Sequence, residues 1–303
     1  MAFATMMQGS APWIPVLAGL VPLVVVLVGV CWDRKRRNER TQPPQVEKLL
    51  RPPGHSLAIK LDDLFERAIY KCLFAFGLCG AAGVALDAEA KMPGLSSTLF
   101  LLTGLALAGG GLYAAVLVVR DVKKSQNLRL GLRGEQAVAE ALQEVADCGY
   151  RAFHDFPGGE NWNIDHIAVG PPGIFLIETK ARSRVRRRSA QPAHIVHVLG
   201  SILRFPAFED LAAIPQAERN AQWLAAYLTK RTAEKTEAEA LVVLPGWYVE
   251  IKEPPSHGTK VMNANYLKGY LRGQPARLPE AQVRRIIAAL DEKCRDVEFQ
   301  TGH

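Results

Sequence analysis

Cysteine is scarce and scattered in this chain of 303 residues. Cys31, Cys72, Cys79, Cys148 and Cys294 show no CxxC pair or other metal-ligand spacing, which argues against a disulfide framework and a cysteine-ligated zinc module and for a reducing compartment. A Gly-rich phosphate-cradling loop between a strand and a helix is also missing, so a P-loop has no support. No segment carries the signals of a base-reading module. Nor is charge of one sign in large excess: residues 1–120 hold 12 Lys and Arg against 8 Asp and Glu, and residues 121–303 hold 25 against 22. The C-terminal part is only mildly basic.

The most telling absence is local. Residues 12–32 contain no charged side chain, and their number matches the roughly 20 residues that cross a bilayer core as a helix. Runs 68–87 and 96–119 are expected to span as well, the second of them inside a stretch without charge from Pro93 to Val119. Lys71 falls in the first turn of the middle run, where a lysine can snorkel to the headgroups. Arg34, Lys35, Arg36, Arg37 and Arg40 follow the first run, Arg67 precedes the second, and Arg120, Lys123 and Lys124 follow the third. The positive-inside rule then places the N-terminus outside, and the loop 33–67 and everything after Arg120 inside, at the inner membrane in a bacterium. A cleaved signal peptide fits poorly, because the charges follow the apolar run. Residues 1–120 thus read as a three-span anchor in the lipid bilayer and 121–303 as a cytoplasmic domain. Gly77 with Ala81 and Gly104 with Ala108 are spaced for close helix packing. The proline-containing loop 33–67 suggests a short surface helix near its end and no function.

The cytoplasmic part is expected to open with an amphipathic helix at Gly134–Glu135, followed by strands near 150–155, 163–169 and 174–180 and a less certain stretch at 194–205. A helix from about 216 to 232, a short strand at 240–245 and a last helix from Pro279–Glu280 complete the order. This pattern predicts an α/β sandwich, a mixed sheet flanked by helices. Its centre is a hairpin. Gly170-Pro-Pro-Gly173 is a turn signal between two apolar arms. If Val169 faces Ile174, Asp165 comes opposite Glu178, and strand alternation puts Lys180 on the face of Glu178. Two carboxylates at that distance need a cation, and Mg²⁺ or Mn²⁺ held by Asp165 and Glu178 supplies one. Such a metal polarises a phosphoryl oxygen and acidifies water, the chemistry of phosphodiester hydrolysis. The Thr179 carbonyl is a candidate further ligand, Lys180 a candidate to orient water, and Glu135 a candidate extra carboxylate. Blander readings stand beside these: a solvated E-x-K pair, an edge-strand Asp165, and a Glu135 that complements a helix dipole.

Gly131-Leu-Arg-Gly-Glu135, Asn163-Ile-Asp-His166, Glu178-Thr-Lys180, and Gln216 with Asn220 occur in that order. Together they resemble the nuclease-related domain, NERD, of the PD-(D/E)xK restriction-endonuclease-like superfamily, over about residues 126–290. The resemblance implies a restriction-endonuclease-like fold with Asp165, Glu178 and Lys180 as catalytic core and Glu135 and Gln216 as supporting positions. It implies a nuclease, and together with the expected spans, which are not part of that family domain, the chain reads as a membrane-anchored, Mg²⁺-dependent enzyme acting on DNA or else RNA. The alternative is a catalytically inactive nucleic-acid-binding or scaffold domain that keeps the fold.

The arginines after Lys180, namely Arg182, Arg184, Arg186, Arg187 and Arg188, are candidate contacts to a nucleic-acid backbone, or else a solvated or headgroup-binding face. His166, next to Asp165, is expected to point to the opposite face as a structural hydrogen-bonding residue, with a general-base role as the other option. His154 and Asp155, on the neighbouring strand, can approach the site.

Overall fold

The protein is described from a computed structural model that covers Trp32 and residues 48–91, 95–160, 162–184 and 194–297. The expected span 12–32, except Trp32, and Arg186, Arg187 and Arg188 lie outside the described residues. The chain divides into two compact units, one containing Asp62–Gln126 and the other made of Glu47–Leu61 and Asn127–Glu298. Residues 47–61, part of the loop grouped above with the anchor, fall in the second unit.

Two long helices serve the first unit, α1 (His55–Lys91) and α2 (Leu95–Gln143). The sequence predicts a break between the third span and a helix opening at Gly134. Instead α2 runs through. Residues 121–133 contain no proline and are mostly good helix formers, so nothing stops the helix that the apolar run begins. Among the described residues one helix segment, Leu101–Gln143, is long and apolar enough to cross a membrane. A three-span anchor is therefore not what the described residues display, and the last residues of run 68–87 carry side chains outside those described. Lys71 does not simply snorkel: its ammonium pairs with Asp121 at 2.5 Å.

In the second unit β1 (Leu49–Leu50) pairs antiparallel with the last strand, β11 (Arg295–Val297). A five-stranded sheet is built from β2 (Arg151–Gly159), β3 (Trp162–Gly170), β4 (Gly173–Thr179), β8 (Glu239–Val243) and β10 (Lys260–Met262). Its order is β10-β8-β4-β3-β2, with β2, β3 and β4 antiparallel in turn and β4, β8 and β10 parallel. Helix α3 (Ala213–Thr232) precedes β8, α4 (Ala264–Arg272) follows β10, and α5 (Glu280–Cys294) leads into β11.

Both faces of this sheet are buried, as expected where β4 and β8 read as nearly continuous apolar runs. One core gathers Phe156, Ile164 and Leu176 with Leu224 and Leu228 of α3 and Ile286 and Leu290 of α5. The other gathers Phe175, Ile177 and Leu241 with Val138 and Leu142 of α2 and Leu267 and Leu271 of α4. The result is the predicted α/β sandwich with a mixed sheet. A second sheet was not foreseen. It comprises β5 (Ile195–Leu199), β6 (Ile202–Arg204), β7 (Glu209–Asp210) and β9 (Tyr248–Glu253) in the order β7-β6-β5-β9. Its strands are short: the apolar-polar alternation of β9 runs only over Val249-Glu-Ile-Lys252, at the lower limit at which such a period is read.

Candidate active site

The hairpin register is the one the turn predicts. Val169 faces Ile174, and the ladder continues through Ala168–Phe175 and Ile167–Leu176 to His166–Ile177. One further step brings Asp165 level with Glu178. On the other side, His154–His166 and Phe156–Ile164 are paired, so Asp155 is level with Asp165. Three adjacent strands thus present a row of carboxylates.

Asp165 is partly buried and accepts the Thr179 amide N–H at 2.7 Å. Glu178 is 2% exposed, and its Oε1 accepts from Lys180 Nζ at 2.6 Å. The same ammonium donates to Gln216 Oε1 at 3.1 Å. Gln216, near the start of α3, is therefore hydrogen-bonded to Lys180 and through it linked to Glu178.

Glu135 arrives by a different route. Gly134, one residue earlier on α2, has Ala181 so close that a Cβ there would sit 2.5 Å from the Ala181 methyl. Only glycine allows this approach, which sets Glu135 beside the end of β4. The carboxyl is 6% exposed and takes a hydrogen bond from the Gly54 backbone. Because Glu135 is mid-helix, the reading that it complements an N-terminal dipole does not apply.

Three of these acids hold their protons unusually well. Burial, then the Asp155 and Glu178 charges, pushes Glu135 up to about 7. Burial, then Glu178 and Glu135, raises Asp165 well above the carboxylate range. Burial raises Glu178 despite the opposing Lys180 charge. Glu135 Oε2, Glu178 Oε2 and Thr179 Oγ1 are buried with no hydrogen-bond partner. A buried polar atom left so costs about 1–3 kcal/mol.

Those unsatisfied oxygens fit a hard divalent cation, which takes carboxylate oxygens as ligands. Among the described residues no group of three or more His, Cys, Asp or Glu side chains forms a ready metal cluster. Mg²⁺ tolerates this, since it usually keeps several waters and binds through one or two carboxylates plus substrate phosphate.

Asp155 plays an unexpected part. It is fully buried with a left-handed φ of 48°, a conformation that a short polar side chain tolerates better than most. Its Oδ2 accepts from Arg51 Nη1 at 2.9 Å and Ser56 Oγ at 2.7 Å, and its Oδ1 from Asn163 Nδ2 at 2.7 Å. Arg51 also pairs with Asp296 at 2.5 Å. The segment 49–56 thus straps across the site, a contact the sequence concealed. Pro52-Pro53-Gly54 before His55 signals a helix start but says nothing of where that start docks.

His166 points away from the acids. It is fully buried, its Nδ1 lies 2.8 Å from His154 Nδ1, and burial holds both rings neutral, His154 at about 4. The general-base option for His166 loses its geometry. Arg182 spends its guanidinium on Asp210 at 2.8 Å, and Asp210 in turn accepts the Ala212 and Ala213 N–H groups at the start of α3. Arg184 is exposed.

Residues 130–245 match the family model of the nuclease-related domain, NERD. The match contains Glu135, Asp165, Glu178, Lys180 and Gln216, and it leaves out Arg51, Gly54, Ser56 and α5. No curated protein and no solved structure gives a significant match.

Proposed function

We propose that the second unit is a metal-dependent nuclease, with DNA ahead of RNA as its substrate. The observation that carries this reading is the pair of buried, unpartnered carboxylate oxygens on Glu135 and Glu178 beside Lys180, inside the stretch that matches the nuclease-related family. Asp165 and Glu178 would hold Mg²⁺ or Mn²⁺, with the Thr179 carbonyl and Glu135 in support. When bound, the metal supplies a Lewis acid for the phosphoryl oxygen and a more acidic water. Lys180 has two of its three protons committed, to Glu178 and Gln216. The third is free to orient the attacking water or to meet charge developing on the phosphoryl oxygens. The Thr179 amide fixes the Asp165 carboxylate. Arg184 and the arginines 186–188 would hold the backbone phosphates without reading sequence.

The nuclease reading extends to an anchored enzyme. Leu102, Leu105, Leu112, Val116 and Val119 of α2 are exposed, which suits lipid around run 96–119. Runs 12–32 and 68–87 would complete three spans, and the basic residues that flank them favour a cytoplasmic catalytic unit.

The test uses the full-length protein with Mg²⁺ or Mn²⁺ on plasmid, linear and single-stranded substrates. Cleavage should vanish in Asp165→Ala and Lys180→Ala. Activity surviving both substitutions sinks the mechanism. The closed Lys180–Glu178 contact and, among the described residues, the lack of a ready metal cluster favour one rival, an inactive scaffold. Folded protein that neither binds Mn²⁺ nor cuts establishes that rival. A reporter fused after His303 that is active outside the cell overturns the topology.

A further inference from the structure

A cleft of about 790 Å³ opens at the opposite end of the five-stranded sheet from Glu178. It lies where the three parallel strands β4, β8 and β10 begin, at Gly173, Glu239 and Lys260. Glu178 is five residues further along β4, about 17 Å away at roughly 3.3 Å per residue. The cleft is therefore separate from the candidate active site, and its volume falls within the roughly 300–1,000 Å³ of small-molecule sites.

Its charges are arranged unevenly. The acids at its walls are engaged: Glu239 accepts from the Tyr270 hydroxyl, and Glu237 pairs with Lys235 at 3.3 Å. Arg277, Lys260 and His257 also line it, and among the described residues none of the three side chains has an ion pair. The neighbours of Arg277 in sequence behave differently, since Arg272, Arg284 and Arg285 pair with Asp147, Glu280 and Glu234. Arg277 is nonetheless anchored at its backbone. Its N–H and that of Leu278 donate to Pro171 O in the hairpin turn at 2.8 and 2.9 Å. The chain therefore fixes the base of the side chain at the rim and leaves the guanidinium fork unspent. That planar fork is suited to two oxygens of a phosphate. Beside it, the half-buried Tyr270 ring lines the cleft, braced from behind by the buried Phe175 ring, which it meets at 87° with centroids 6.3 Å apart.

We propose that this cleft binds a phosphorylated small molecule of nucleotide size, its phosphate on Arg277 and Lys260 and its planar ring against Tyr270. The inference does not depend on the nuclease reading.

Binding is measured by calorimetry on the full-length protein in detergent, with EDTA present, using adenosine 5′-monophosphate, adenosine and inorganic phosphate as probes. The monophosphate should bind, adenosine at least tenfold more weakly, and phosphate alone more weakly than the intact monophosphate. Arg277→Ala should weaken the monophosphate by about 10- to 150-fold, the range for losing hydrogen bonds to a charged group. Arg277→Lys should recover part of that loss, and Asp165→Ala should bind as the parent does. Arg277 is exposed, so both Arg277 variants are expected to fold, and their unfolding temperature checks it. No binding of the monophosphate at millimolar concentration overturns the proposal. So does binding that Arg277→Ala leaves unchanged or that Asp165→Ala abolishes. Phosphate binding as tightly as the monophosphate removes the Tyr270 ring from the proposal and refutes the nucleotide-sized ligand.

Discussion

Arg51→Ala should unlatch the strap that the segment before α1 lays over the carboxylate row. Arg51 has two partners of unequal worth. Asp296 is 38% exposed at its side chain, and a pair of that kind contributes about 0–1 kcal/mol. Asp155 has no exposure. Removing one partner of a buried ion pair costs about 3–5 kcal/mol, because the remaining charge is left uncompensated. Here the loss is softened, since Ser56 and Asn163 still donate to both Asp155 oxygens. The expected cost is about 2–3 kcal/mol, at or just below the bottom of that range. Asp296→Ala should cost no more than about 1 kcal/mol. Urea unfolding followed by fluorescence reads this unit, which contains Trp162, Trp223 and Trp247. A double-mutant cycle with Asp155→Asn isolates the pair and should return a coupling above about 1 kcal/mol. Arg51→Ala unfolding within about 0.5 kcal/mol of the parent, the range for an ordinary surface substitution, would refute the reasoning.

Three further outcomes follow from the same geometry. A fragment of residues 121–303 lacks Arg51, Ser56, the Gly54 amide and the partner strand of β11, so its amides in β2 and β11 should exchange with deuterium faster than in the full chain; equal protection refutes the strap. Glu135 titrates at about 7 in the fold against 4.5 for the free group, so its protonated form stabilises the fold fully below pH 4.5, and that contribution is lost as pH rises through 7. Metal-free protein should therefore lose on the order of 3 kcal/mol across that window. Glu135→Gln should flatten the loss and added Mg²⁺ should reduce it, as thermal melts at a series of pH values can check. Gly134→Ala drives a methyl into Ala181 and should cost about 1–3 kcal/mol, the range for overpacking, with a larger fall in cleavage than in stability because Glu135 moves with the helix.

The hairpin was legible because its information is local. A Gly-Pro-Pro-Gly turn, apolar arms and strict alternation leave one sensible register, and that register puts Asp165 level with Glu178 and Lys180 on the same face. The helix carrying Gln216 was legible for the same reason, through its propensity and apolar spacing. The continuity of α2 through residues 121–133 was missed, because a helix stops at a breaker such as proline and this stretch contains none. The second sheet escaped notice because β6 and β7 hold only three and two residues, too few for a period to show.

By itself the sequence determined the α/β class, the paired carboxylates and their lysine, since each follows from spacing within a few residues of chain. Tertiary structure alone decided which groups share a charge environment. Asp155 meets Arg51 across 104 residues and Glu135 meets Gly54 across a helix junction. Neither contact leaves a local pattern, because burial and long-range proximity depend on how separate elements pack. Burial in the packed fold, with the Asp155 and Glu178 charges nearby, raises the pKa of Glu135 against the lowering hydrogen bond from Gly54. The crowding of buried acids at this site is thus a property of the packed fold, written in the hairpin only as two acids facing each other.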